Sequence, residues 1–244
     1  MKRHVTLLLA AVVAAAAAPA AGQAAVASDV PANVPKKGLV AHWAAEGDAR
    51  DSAGQNHGAL KGGATFAPGK FGQAFKLDGK DDYVDFGNPK ALQITGSLTI
   101  AMWVRPDQLG VVRQNLLHKA YGGEGDVTLE LNGQVVYHYG SAGANKKPYC
   151  FLVTGGRAGE NGRVAGLDIG NRDRGPPVGQ TKLKAGQWTH LVVVRDMKAK
   201  KLAWYVNGAR VVQVQFLGPA LAKASPLALY VGKGHEKNYA GLID

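Results

Sequence analysis

Cysteine is almost absent from this chain. Cys150 is the only one in 244 residues, so no intrachain disulfide can form and the fold must rest on its core or on a metal. Long helical periodicity is missing too: after residue 37 the apolar residues come in short runs broken by Gly, Asn, Asp and Pro, which excludes a helical bundle. No internal repeat is visible, and the seven histidines show none of the spacings that zinc sites use. Acidic residues are scarce. Eighteen Asp and Glu face twenty-nine Lys and Arg, a formal net charge of +11. Such an excess bears on partners and solubility, not on fold. With no basic helix and no nucleic-acid-binding motif, it points to acidic polysaccharide or a cell surface and not to DNA or RNA.

The one long apolar run is at the start. Lys2, Arg3 and His4 precede a nearly unbroken apolar stretch from 5 to 21, and Ala25, Val26 and Ala27 supply the small-x-small pattern of a cleavage site. Residues 1–27 therefore read as an export signal cut before Ser28, with no stable membrane insertion afterwards and a secreted, periplasmic or cell-surface destination. Loss of Lys2 and Arg3 takes the formal +11 to +9. For an exported protein, a single cysteine suits a bacterial rather than an animal extracellular style. Residues 28–37, SDVPANVPKK, form an extended leader, and residues 38–244 are enough for one β-sandwich but not for a sandwich plus a catalytic domain.

The most informative stretch is QWTHLVVVRDMKAKKLAWYVNG, Gln187 to Gly208. It predicts a strand through Val194, a charged turn, a second strand from Leu202 to Val206, and a type I′ turn at Asn207 and Gly208, where both central residues need positive φ. Turns are also predicted at Asp78–Gly79 and Asn132–Gly133. Regular spacing of such signals is what an antiparallel two-sheet sandwich looks like in sequence.

These residues, with GLVAHWAAEG (38–47), DSAGQNHGAL (51–60), FGQAFKLDGKDDYVDFG (71–87), SLTIAMWVRP (97–106), Tyr230–Val231–Gly232 and Gly241–Leu242–Ile243–Asp244, resemble in order the strands of the laminin-G-like, concanavalin A-like jelly-roll family. The resemblance implies an all-β jelly roll and reads Trp43, Trp103, Trp188 and Trp204 mainly as core. It is weakest from about Ser141 to Thr181. In the family pattern the strand opened by G-x-I-D runs on, so the final strand here is expected to be truncated and the sequence part of a longer protein. The resemblance further implies one structural calcium ion, held by Asp48, Asp51 and Asn56 of an early turn-rich loop together with Asp244.

Three chemistries then compete for the function. Glycan recognition needs aromatic faces beside polar groups, and VVYHYGSAGANKKPYCF offers Tyr137 and Tyr139, two residues apart on one strand, with Lys146 and Tyr149 nearby. Arg157 and Arg172 extend that set toward sulfate or uronate. Between Ser141 and Gly186 eight basic residues face three acidic ones, so much of the positive surplus sits there. Glycoside hydrolysis or lyase chemistry would need paired carboxylates about 5 Å apart. The nearest pattern is Glu124, Asp126 and Glu130, but Glu124 falls in a turn and no tryptophan lies beside it in sequence. A structural or adhesion module without a sugar site is the third reading. The sequence favours a non-catalytic carbohydrate- or surface-binding module.

Overall fold

The computed structural model describes residues 5–8, 34–94, 96–108, 114–119, 136–142, 147–153, 184–196, 198–199, 201–215, 227–234 and 237–244. The expected Asn132–Gly133 turn lies outside them. Strands in chain order are β1 (Val5–Leu8), β2 (Leu39–His42), β3 (Ala59–Lys61), β4 (Thr65–Pro68), β5 (Gln73–Asp78), β6 (Tyr83–Asp85), β7 (Leu98–Pro106) and β8 (Gln114–His118). They continue as β9 (Val136–Ala142), β10 (Lys147–Val153), β11 (Thr189–Asp196), β12 (Lys201–Val206), β13 (Ala209–Gln215), β14 (Tyr230–Val231), β15 (Lys237–Asn238) and β16 (Ala240–Ile243). Among the described residues no helix is long and apolar enough to cross a membrane.

The strands form two sheets. The first runs β13-β12-β11-β7-β16-β5-β4, with β1 joining β2 to β7; the second runs β10-β9-β8-β14-β6-β3, with β15 beside β8. Pairing is antiparallel except for β1 with β2 and β7, and β15 with β8. The strand β1 lies within the residues read as an export signal. It takes Leu98–Ala101 of β7, whereas β16 takes Val104–Pro106. Since β11 covers the other edge of β7, β1 and β16 lie end to end along one edge.

The predicted hairpin forms as expected. Leu191 to Asp196 pairs with Val206 to Lys201, and Asn207 (φ 48°) and Gly208 (φ 81°) both adopt the left-handed conformation a type I′ turn requires. The Asn207 side chain adds a cap by accepting the His190 N–H at 2.9 Å.

Alternation along the strands builds the core. On β7, Leu98, Ile100, Met102 and Val104 are buried, and on the second sheet Val84, Leu117 and Val231 meet them from the other side. Trp43 is fully buried, its ring 4.0 Å from that of Phe86 and its Nε1–H donated to the Asn56 carbonyl at 2.7 Å. Its burial alone removes enough apolar surface to contribute on the order of 4 kcal/mol.

Candidate functional site

The same alternation that buries Met102 and Val104 turns Trp103 and Arg105 to the outer face of the first sheet, where both are half-buried. Register sets His190 opposite Trp103, and the two rings stack with centroids 4.9 Å apart and planes at 29°. Phe71 meets Trp103 edge-on at 5.9 Å, and the Lys70 ammonium lies 4.9 Å above the Trp103 ring. Further along, the Arg105 guanidinium sits 5.8 Å over Trp188, which immediately precedes β11. Trp103 and Trp188 are therefore not core residues, contrary to the reading from sequence; only Trp43 is fully buried, and the Trp204 side chain lies outside what the structure describes.

The turn carrying Lys70 and Phe71 is fixed from two sides. Asp244 accepts the Phe71 N–H at 2.8 Å and Glu46 accepts the Gln73 N–H at 3.1 Å. Gly72 (φ 49°) suits the left-handed backbone of this turn, and a methyl group there would displace the Glu46 carboxylate from Gln73. Burial pushes the Glu46 carboxyl up, partly offset by the Gln73 hydrogen bond. Burial also holds His190 below the ordinary histidine value, so it is neutral at pH 7 and contributes a ring face rather than a charge. Positive charge on this shelf comes from Lys70 and Arg105, with the Asp244 and Glu46 carboxylates behind the turn. The Arg105 Nε is buried and finds no acceptor within the described structure, leaving a donor unused beside the aromatic rings.

The residues singled out from sequence fall elsewhere. Tyr137 and Tyr139 stand on β9, opposite Leu152 and Cys150 of β10, and Tyr149 stands opposite Gly140. Tyr149 is therefore one step out of register with the other two. In the β8–β9 ladder Tyr137 is paired with Leu117. Lys146, Arg157 and Arg172, and likewise Glu124, Asp126 and Glu130, lie outside the described residues.

The four residues implied for calcium do not fit an ion as a set. Asp51 is buried, and its carboxylate already accepts four N–H groups: His42 and Ala53 on Oδ1, Asn56 main chain and Asn56 Nδ2 on Oδ2, at 2.8–3.0 Å. Asn56 gives its second amide proton to the Val40 carbonyl. Asp48 accepts the Arg50 N–H and lies 3.6 Å from its Nε, while Asp244 serves the turn at Phe71. Calcium binds through six to eight open oxygens, and Asp51 has none to give. A separate trio, Asp78, Asp81 and Asp82, is brought together at the β5–β6 turn. Asp82 spends its oxygens on the Gly63 and Asp78 N–H groups, and Asp78 accepts from Lys80, which holds its carboxyl below the usual range. Asp78 and Asp82 thereby shape the β5–β6 turn.

Two packed antiparallel sheets in this order make the protein a concanavalin A-like jelly roll. The chain belongs to the Laminin_G_3 family of the concanavalin A-like lectin/glucanases superfamily, which matches residues 78–244. No protein of curated function matches it. Among solved structures it is similar to domain 4 of AbnA, a GH43 extracellular arabinanase from Geobacillus stearothermophilus in complex with arabinotriose. That match is at 18% identity and TM-score 0.53, over 81% of this chain and 84% of the other. Looser likenesses include Trypanosoma rangeli sialidase (11% identity, TM-score 0.46, 80% of this chain and 27% of that one). The Ruminococcus gnavus IT-sialidase CBM40 bound to α2,3 sialyllactose is another (9% identity, TM-score 0.38, 70% and 85%).

Proposed function

We propose that this chain is a non-catalytic, extracytoplasmic glycan-binding module that reads acidic saccharides on the outer face of its first sheet. The observation that carries the reading is the Trp103–His190 stack with the Lys70 ammonium over it and, two residues along β7, Arg105, whose guanidinium sits over Trp188. The half-buried Trp103–His190 pair on the outer face, while Met102 and Val104 beside Trp103 in the chain are buried, offers an aromatic surface for the C–H face of a sugar ring. Arginine beside it suits a carboxylate or sulfate, because its planar fork can bond two oxygens together. The surplus of basic over acidic residues favours the same ligand class. A jelly roll of the same kind is known with arabinotriose, which supports the reading at the level of fold.

Affinity electrophoresis against polygalacturonate, alginate and neutral laminarin tests it. The wild-type chain is expected to be retarded by the acidic polymers, and less so as salt is raised. Trp103→Ala should weaken retardation about tenfold, and Arg105→Gln or Lys70→Ala about threefold, with the melting temperature shifted by no more than a few degrees. Retardation by no polysaccharide, or retardation unchanged in Trp103→Ala, would sink the assignment. Release of reducing or unsaturated ends from these polymers would overturn its non-catalytic part.

A further inference from the structure

The second sheet presents another aromatic and cationic cluster, on the opposite outer face of the sandwich. On β6 and β14 the inward residues are Val84 and Val231, so Tyr83 and Tyr230 point outward, each half-buried. Their rings meet edge to face at 5.5 Å and 89°. The Lys233 ammonium lies 4.0 Å from the Tyr83 ring centroid and 5.4 Å from that of Tyr230. Lysine at that distance from two rings is held over them by the quadrupoles of their faces, and no carboxylate neutralises it in an ion pair among the described residues.

Lys233 follows a hydrogen-bonded glycine. Gly232 (φ 83°) donates its N–H to the Leu116 carbonyl at 2.9 Å and accepts the Tyr239 N–H at 2.8 Å. A methyl group on Gly232 would overlap Leu77, and one on Gly234 would overlap Asn115. The backbone just before Lys233 is therefore tied to β8 and to Tyr239 by the Gly232 hydrogen bonds. Lys61, exposed and opposite Tyr83 across the β3–β6 ladder, adds a second positive charge. Asp85 stands directly opposite Tyr230 in the β6–β14 ladder and accepts the Gly87 N–H on Oδ1. Its carboxylate shares this face, so Lys233 and Lys61 together must outweigh it.

We infer that Tyr83, Tyr230 and Lys233 form a second saccharide site, separate from the Trp103 shelf, for a hexuronate residue of an acidic polysaccharide. The sugar ring packs against the exposed part of the tyrosine pair beside Lys233, and its carboxylate pairs with the Lys233 ammonium. The choice of ligand class rests on the glycan-binding reading above; the site itself rests on this cluster.

The test uses polygalacturonate with the full chain in affinity electrophoresis, comparing wild type, Trp103→Ala, Lys233→Ala and the double variant, with Tyr230→Phe as a control that keeps the ring. Trp103→Ala should retain weak retardation, and adding Lys233→Ala should weaken it a further threefold to tenfold. Tyr230→Phe should behave as wild type, and laminarin should show no Lys233 dependence. Equal retardation of the double variant and Trp103→Ala would overturn the second site and leave the first intact. If wild type itself is not retarded, the glycan reading falls and this site with it. A melting temperature of Lys233→Ala within a few degrees of wild type assigns the loss to contact and not to folding.

Discussion

Replacing Asp51 with alanine is expected to destabilise the folded chain by roughly 3–4 kcal/mol, read as a fall in the urea midpoint at unchanged slope. The carboxylate is 4% exposed and accepts four N–H groups drawn from β2 and from its own loop. Alanine leaves all four donors without their acceptor, two of them on Asn56, itself buried, and water has little access to replace it. The loop also holds the core: the Asn56 carbonyl accepts the Trp43 indole N–H, and the Ser52 N–H closes on the His42 carbonyl. Asparagine at position 51 keeps one carboxylate-like oxygen and should cost about half as much. Because the donors are amides, the loss should be the same in calcium as in chelator. A calcium-dependent difference of more than about 1 kcal/mol would show that Asp51 works through an ion after all.

This loop shows where sequence reasoning stops. Asp and Asn in a Gly-rich turn look alike whether their oxygens face a cation or backbone N–H groups, since both tasks call for short, oxygen-bearing side chains. Only the position of His42 N, supplied by a different strand, decides between them. The hairpin at Asn207–Gly208 was legible because its determinants are local: φ at two adjacent residues and alternation on either side. Trp103 was half legible. The alternation of Leu98, Ile100, Met102 and Val104 already assigns it to the other face, but likeness to a family strand drew it into the core. What could not be read is its company. His190 comes from β11 and Lys70 and Phe71 from the β4–β5 turn, and no local pattern joins them. Tyr83, Tyr230 and Lys233 likewise meet only because β14 returns beside β6.

Lys119 is where burial should be felt as a dependence on pH. It is 2% exposed, and its ammonium donates to Asn88 Oδ1 and to the Leu227 carbonyl, tying the end of β8 to the segment that leads into β14. Both acceptors are neutral, so desolvation dominates and lowers its pKa from 10.5 to about 8. Below about pH 8 the side chain is charged in the folded and unfolded chain alike, and the cost of burying that charge is fully present. Between about pH 8 and 10.5 the folded chain releases the proton while the unfolded chain keeps it, so this group makes stability rise with pH. Allowing for residual solvent screening and for the two hydrogen bonds, the gain should be roughly 1–2 kcal/mol. Lys119→Met keeps the volume and removes the titration, so the difference in unfolding free energy between wild type and this variant should rise across that window and stay flat from pH 6 to 7.5. Lys119→Ala removes the stem as well, leaving a cavity and losing two hydrogen bonds, and should cost roughly 3 kcal/mol at pH 7. A wild-type-minus-Met difference that does not change between pH 8 and 10 would mean that the ammonium is hydrated or paired and not buried as a lone charge.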